Sequence, residues 1–190
     1  MIYTPKERSK EISLRIKTVV IDEENSIEKE FERLVEQAVS GKIMSDDELD
    51  GFLDDGDVDE IELLTEARIR TNKEGLVEIV YRENEDDEQL HTISRIIFDP
   101  NFPELVIMTK KGAINSSLSF EEDKMHICSY VTPYMPFKVY VSSSRVENRL
   151  LEKGRLLLDY TLNINDTPPQ HFIVNAEIKD VADDPLKDLF

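Results

Sequence analysis

Apolar and polar residues alternate along most of this chain. "EISLRIKTVVI" sets Ile12, Leu14, Ile16 and Val20 on one face and Ser13, Arg15 and Lys17 on the other. "LVEIVYR" sets Val77, Ile79 and Tyr81 against Glu78 and Arg82, and "PFKVYVS" sets Phe137, Val139 and Val141 against Lys138 and Tyr140. "GRLLLDYTLNI" and "HFIVNAEIK" continue the pattern, with Leu156, Leu158, Tyr160, Leu162 and Ile164, then Phe172, Val174, Ala176 and Ile178, on their apolar faces. A period of two is the repeat of a strand with one wet face, as antiparallel sheets use. Turn signals fall near Gly75, over 83–88 and 99–103, before Ala113, and over 121–123 and 165–169. "SSS" at 142–144 reads as a strand bend or edge. Roughly ten short strands joined by short loops predict an all-β sandwich or barrel. With no βαβ pattern, the meander favours an up-and-down barrel.

One segment breaks the alternation. In "SIEKEFERLVEQAVSG", Ile27, Phe31, Leu34, Val35, Ala38 and Val39 fall on one helical stripe, with Ser26 as N-cap and Gly41 as stop. In "SDDELDGFLDDG", Ser45 and Glu48 form a capping box, Leu49, Phe52 and Leu53 share a face, and Gly56 closes. The pattern predicts an α-helical hairpin near residues 26–55, inserted between the first two strands. "VDEIELLTEARI" after it reads as a strand.

The quoted strands also carry a resemblance. "ISLRIKTVV", "ELLTEARI…VEIVYRE", "SLSFEEDKMHICSYVTPYMPFKVYVSS" and "EKGRLLLDYTLNI" match in order and spacing the YwiB-like family, small bacterial proteins of unknown function. The resemblance implies a calycin-type (lipocalin-like) antiparallel β-barrel of about eight to ten strands. Met135 stands where that family tends to have glycine, and the segment 26–55 is longer than the family's usual connection. The family offers no catalytic residue to carry over.

Composition adds the charge distribution. The chain of 190 residues has 41 acidic and 23 basic side chains, a net charge of −18. Between Asp22 and Glu62 there are 17 acids and 3 bases, a net of −14. The acidity therefore belongs to one segment. We read a single barrel domain over 1–190, an acidic helical insert over 22–60, and a mobile C-terminal tail over 180–190. The net charge argues against a nucleic-acid partner. No apolar run is long enough to span a membrane, and the first residues lack a signal-peptide core. A cytoplasmic protein is the expectation. The carboxylates of 46–57 imitate a calcium loop at Asp46, Asp50 and Gly51, but Asp57 replaces the bidentate glutamate and a strand comes next, so a solvated acidic face is expected.

Candidate chemistry is sparse. His91, His126 and His171 have no metal-ligand spacing, and Cys128 has no second cysteine. Nucleophile elbows and phosphate loops are absent from the sequence. No metal and no cofactor are expected, and an enzyme ranks last. A closed barrel either fills its lumen or holds one small ligand. Phe120, Phe137, Tyr81 and Tyr160 are the large residues on apolar faces. Tyr81, Arg95, Tyr130, Tyr134 and Arg145 are the candidate ligand-binding residues, facing inward or toward a mouth. The expected function is non-enzymatic binding of a small, largely apolar ligand in a cavity of roughly 300 Å³ or more. The alternative is an interaction or self-assembly module, including a homodimer, with a packed barrel and an exposed apolar patch or sheet edge.

Overall fold

The computed structural model describes residues 9–22, 58–83, 91–112, 114–132, 135–164 and 169–179. They form β1 (Ser9–Asp22), β2 (Val58–Thr71), β3 (Val77–Glu83), β4 (Thr92–Asp99), β5 (Phe102–Gly112), β6 (Asn115–Phe120), β7 (Lys124–Val131), β8 (Pro136–Arg149), α1 (Leu150–Lys153), β9 (Arg155–Ile164) and β10 (Gln170–Ile178). Every strand pairs antiparallel with its neighbours in sequence, and β1 pairs with both β2 and β10. The ten strands thus close into an up-and-down barrel. Closure satisfies both ladders of every strand, which an open sheet of this length cannot do.

The alternation read from the sequence sets the inside and outside of the wall. Ile12, Leu14 and Ile16 face inward beside Ala176 and Ile178 of β10 and Ala67 of β2. Val77, Ile79 and Tyr81, then Ile96 and Phe98, Val106, Phe120, Val139 and Val141, and Leu156, Leu158 and Tyr160 complete the core. The rings of Phe120 and Tyr160 meet edge-on at 4.7 Å between centroids, and Tyr160 stacks on Phe172 at 5.2 Å. Since β6 and β9 are not neighbours, this contact crosses the lumen. The outer wall carries ion pairs instead: Arg15 with Glu62, Lys17 with Glu60, and Arg70 with Glu78.

Two local features shape the connections. The register between β8 and β9 shifts between Ser143 and Arg145, a β-bulge at the serine run. Before it, Val139, Val141 and Ser143 point inward; after it, Val146 does. The chain then makes one helical turn, α1, burying Leu150 and ending at Gly154 in the left-handed conformation (φ 66°). This turn is the one helix among the described residues and has no counterpart in the sequence reading. The helical hairpin expected near 26–55 and the tail 180–190 lie outside the described residues.

Candidate functional site

The two ends of the barrel differ. One carries the tight turn at 72–76, the turn at 121–123 and α1, and its interior is sealed by Val77, Val106, Phe120 and Leu150. At the other, β1, β3, β5, β7 and β9 finish and β2, β4, β6, β8 and β10 begin. Toward that end, inward-facing residues become progressively exposed. On β2 the series runs from buried Ile69 and Ala67 through half-buried Thr65 and Leu63 to Ile61, which is 60% exposed. Thr18 and Val20 on β1, Ile164 on β9 and Phe172 on β10 are half-buried there too. Among the described residues the lumen is least covered at this end, its mouth.

A row of polar side chains lines one side of this mouth. Cross-strand register places Tyr81 opposite Ser94, Ser94 opposite Lys110, Lys110 opposite Ser116, and Ser116 opposite Tyr130. Residues paired in register point to the same face, so these five form an arc over β3 to β7. Glu83 and Thr92 sit one position nearer the rim. Ser94 Oγ donates to Glu83 Oε1 at 2.7 Å, and Lys110 Nζ donates to Glu83 Oε2 at 2.8 Å. The Tyr81 hydroxyl reaches Ser94 and Glu83; burial first, then the Glu83 charge, push its pKa up, so it stays protonated. Thr92, Ser94 and Ser116 are buried. The other side of the mouth is mainly apolar, with Phe137, Leu162, Ile164, Phe172, Val20 and Leu63, interrupted by Thr18 and Thr65 and, at the rim, by Asp59. Lys110 has three donors and uses one on Glu83. The lumen therefore offers an apolar wall facing a protonated phenol and an ammonium.

Of the five residues singled out by sequence, Tyr81 and Tyr130 lie in this arc. Arg95 does not: its neighbours Ser94 and Ile96 point inward, so it stands on the outer wall, half-buried beside Val80. Arg145 is also outside and exposed, pairing with Glu147. The β8 bulge explains this, because one extra residue reverses the parity that would have carried Arg145 inward. Tyr134 lies outside the described residues. Sequence reasoning missed Glu83, Ser94 and Lys110. Glu83 and Lys110 were read as turn residues, yet Glu83 continues the parity of Val77, Ile79 and Tyr81. A charged residue on an apolar parity at a strand end was the available signal.

Among the described residues, the other polar groups form no reactive constellation. Cys128 is buried, and its Sγ accepts the Ser119 N–H at 3.3 Å. His126 Nε2 lies 3.4 Å from Glu121 Oε2. On the outer wall Asp159 receives the Ser144 hydroxyl at 2.7 Å and lies 2.6 Å from His171 Nε2. The aspartate stands between serine and histidine, so the imidazole is not placed to take the serine proton. Among the described residues no three His, Cys, Asp or Glu side chains are grouped to hold a metal.

Comparisons with known proteins accord with the resemblance noted in the sequence. The family model described as "Domain of unknown function (DUF1934)" matches residues 50–175. The crystal structure of the ywiB protein from Bacillus subtilis is similar at 15% identity and a TM-score of 0.56, over 90% of this chain and 93% of that one. That likeness shows a shared fold. No curated protein matches the chain.

Proposed function

The chain belongs to the DUF1934 family, and from that premise we propose that it is a non-enzymatic binder that holds a small, largely apolar ligand in a calycin-type barrel. The observation that carries this reading is the two-sided mouth. An apolar wall faces the arc of Tyr81, Ser94, Lys110, Ser116 and Tyr130. Ligand pockets combine mostly apolar walls with a few convergent polar groups. The ligand's body lies against Leu63, Ile164 and Phe172, and its polar end accepts a hydrogen bond from Lys110. Tyr81 and Tyr130 stay within the proposed site, whereas Arg95 and Arg145, on the outer wall, leave it. A cytoplasmic location remains part of the proposal: no described helix is long and apolar enough to cross a membrane, and the ion-paired outer wall is unlike the apolar band of a membrane barrel.

A fluorescent fatty acid tests the reading. It should bind with one probe per chain. Lys110→Met should weaken it about tenfold through loss of a charge-assisted hydrogen bond. Absence of binding, or equal binding by the variant, would remove the mouth as the site.

A second reading, self-association, rests on the outer face of β7. Met125 and Ile127 are 61% and 64% exposed there, with Tyr140 of β8 opposite Ile127. The closed ladder of the described strands offers no sheet edge, and this patch is the surface we propose for a homodimer. Sedimentation velocity of Ile127→Lys against the unmodified chain tests it: an unchanged sedimentation coefficient rejects the patch.

A further inference from the structure

The molecule is acidic, but one part of its outer wall is not. A groove of about 780 Å³ runs over β1, β10, β9 and the end of β8. Six cationic side chains line it: Arg15, Lys17, Arg145, Arg149, Lys153 and Arg155. Among the described residues two carboxylates do, Glu147 and Glu177. Four of the six are ion-paired: Arg15 with Glu62, Lys17 with Glu60, Arg145 with Glu147 and Arg155 with Glu177.

Register sharpens the point. Arg15 stands opposite Glu177, Glu177 opposite Arg155, and Arg155 opposite Arg149, forming one transverse row. Arg149 and Arg155 are therefore directly facing like charges on adjacent strands, an arrangement that costs stability. Glu177, the row's carboxylate, receives Arg155 at 3.2 Å and is shared with Lys179 at 2.6 Å. Glu147 is taken by Arg145. That leaves the guanidinium of Arg149 and the ammonium of Lys153, both on the groove, outside these ion pairs.

We propose that this groove is a binding site for a small anion carrying two or three linked phosphates. Guanidinium forks match phosphate oxygens in pairs, and an anion seated between Arg149 and Arg155 converts their repulsion into two favourable contacts. The volume falls in the range of small-ligand sites. No aromatic side chain lines the groove, so there is no platform on which a base would stack. The phosphates alone are recognised, and a free polyphosphate and a nucleoside triphosphate share that chemistry. The site is on the outer wall and is independent of the lumen.

Isothermal titration at low salt with inorganic tripolyphosphate tests the proposal. The full chain should bind one equivalent. Affinity should fall about tenfold or more in Arg149→Ser/Arg155→Ser. Thermal melting of that variant should be no lower than that of the unmodified chain, because the facing charges are gone. Arg68→Ser, on β2 away from the groove, should bind normally. ATP should match tripolyphosphate; much tighter ATP binding would overturn recognition by phosphate alone. Binding unaffected by the double substitution would overturn the site. So would a chain that binds single-stranded RNA but neither small phosphate.

Discussion

Glu83 and Lys110 are charged, yet both face the lumen. The pair stands where the interior opens, with side chains 20% and 42% exposed, so neither ion is fully desolvated. Each also serves the other: Glu83 anchors the ammonium and takes the Ser94 hydroxyl. Lys110→Met should therefore lower stability by only about 1 kcal/mol in urea unfolding, the scale of a partly exposed pair. Glu78 behaves differently. Burial raises its pKa, but hydrogen bonds from Arg70 and Asn72 outweigh that, and its pKa lies below the usual 4.5. A depressed carboxylate contributes stability above its unfolded pKa and loses it as pH falls through the folded value. The unmodified chain should lose stability below pH 4.5 more steeply than Glu78→Gln, as urea midpoints across that range would report. Gly112 is constrained by approach. A Cβ there would lie 2.3 Å from the His91 carbonyl oxygen, which is backbone and cannot rotate away. Gly112→Ala should cost about 1–3 kcal/mol, the penalty of overpacking, measured by the same unfolding experiment.

Strands were the most legible elements. A parity error would expose an entire apolar row, so the inward sets of β1, β3, β9 and β10 can be read directly from their sequences. The serine run at 142–144 was recognisable as a bend, but its effect on the remainder of β8 was not. A bulge changes which residue faces in, and only the partner strand shows it. Deleting Ser144 should restore simple alternation with Arg145 still outward and Val146 still inward. The expected cost is about 1–2 kcal/mol, from loss of the Ser144 hydroxyl's bond to Asp159; a melting curve would show it. The single turn α1 was missed because four residues carry no periodicity, although the glycine after "LLEK" is a helix-stop signal. The mouth arc was only half legible. Its tyrosines stand out in a sequence, while its serines and its two charged residues resemble turn residues until register places them in one row.

At the scale of the molecule, charge is segregated. The lumen is mainly apolar away from its mouth, most of the outer wall is ion-paired, and the groove over β8 to β1 is basic. A net charge of −18 concealed that last feature, since composition averages over the surface. Whether the lumen holds a ligand can be read by native mass spectrometry of the chain purified from its own host, with denaturing release of any bound species. A reproducible, largely apolar molecule should appear at one per chain, with markedly lower occupancy in Lys110→Met. A clean apo mass for the unmodified chain, unchanged after incubation with host lipid extract, would contradict a ligand-binding lumen.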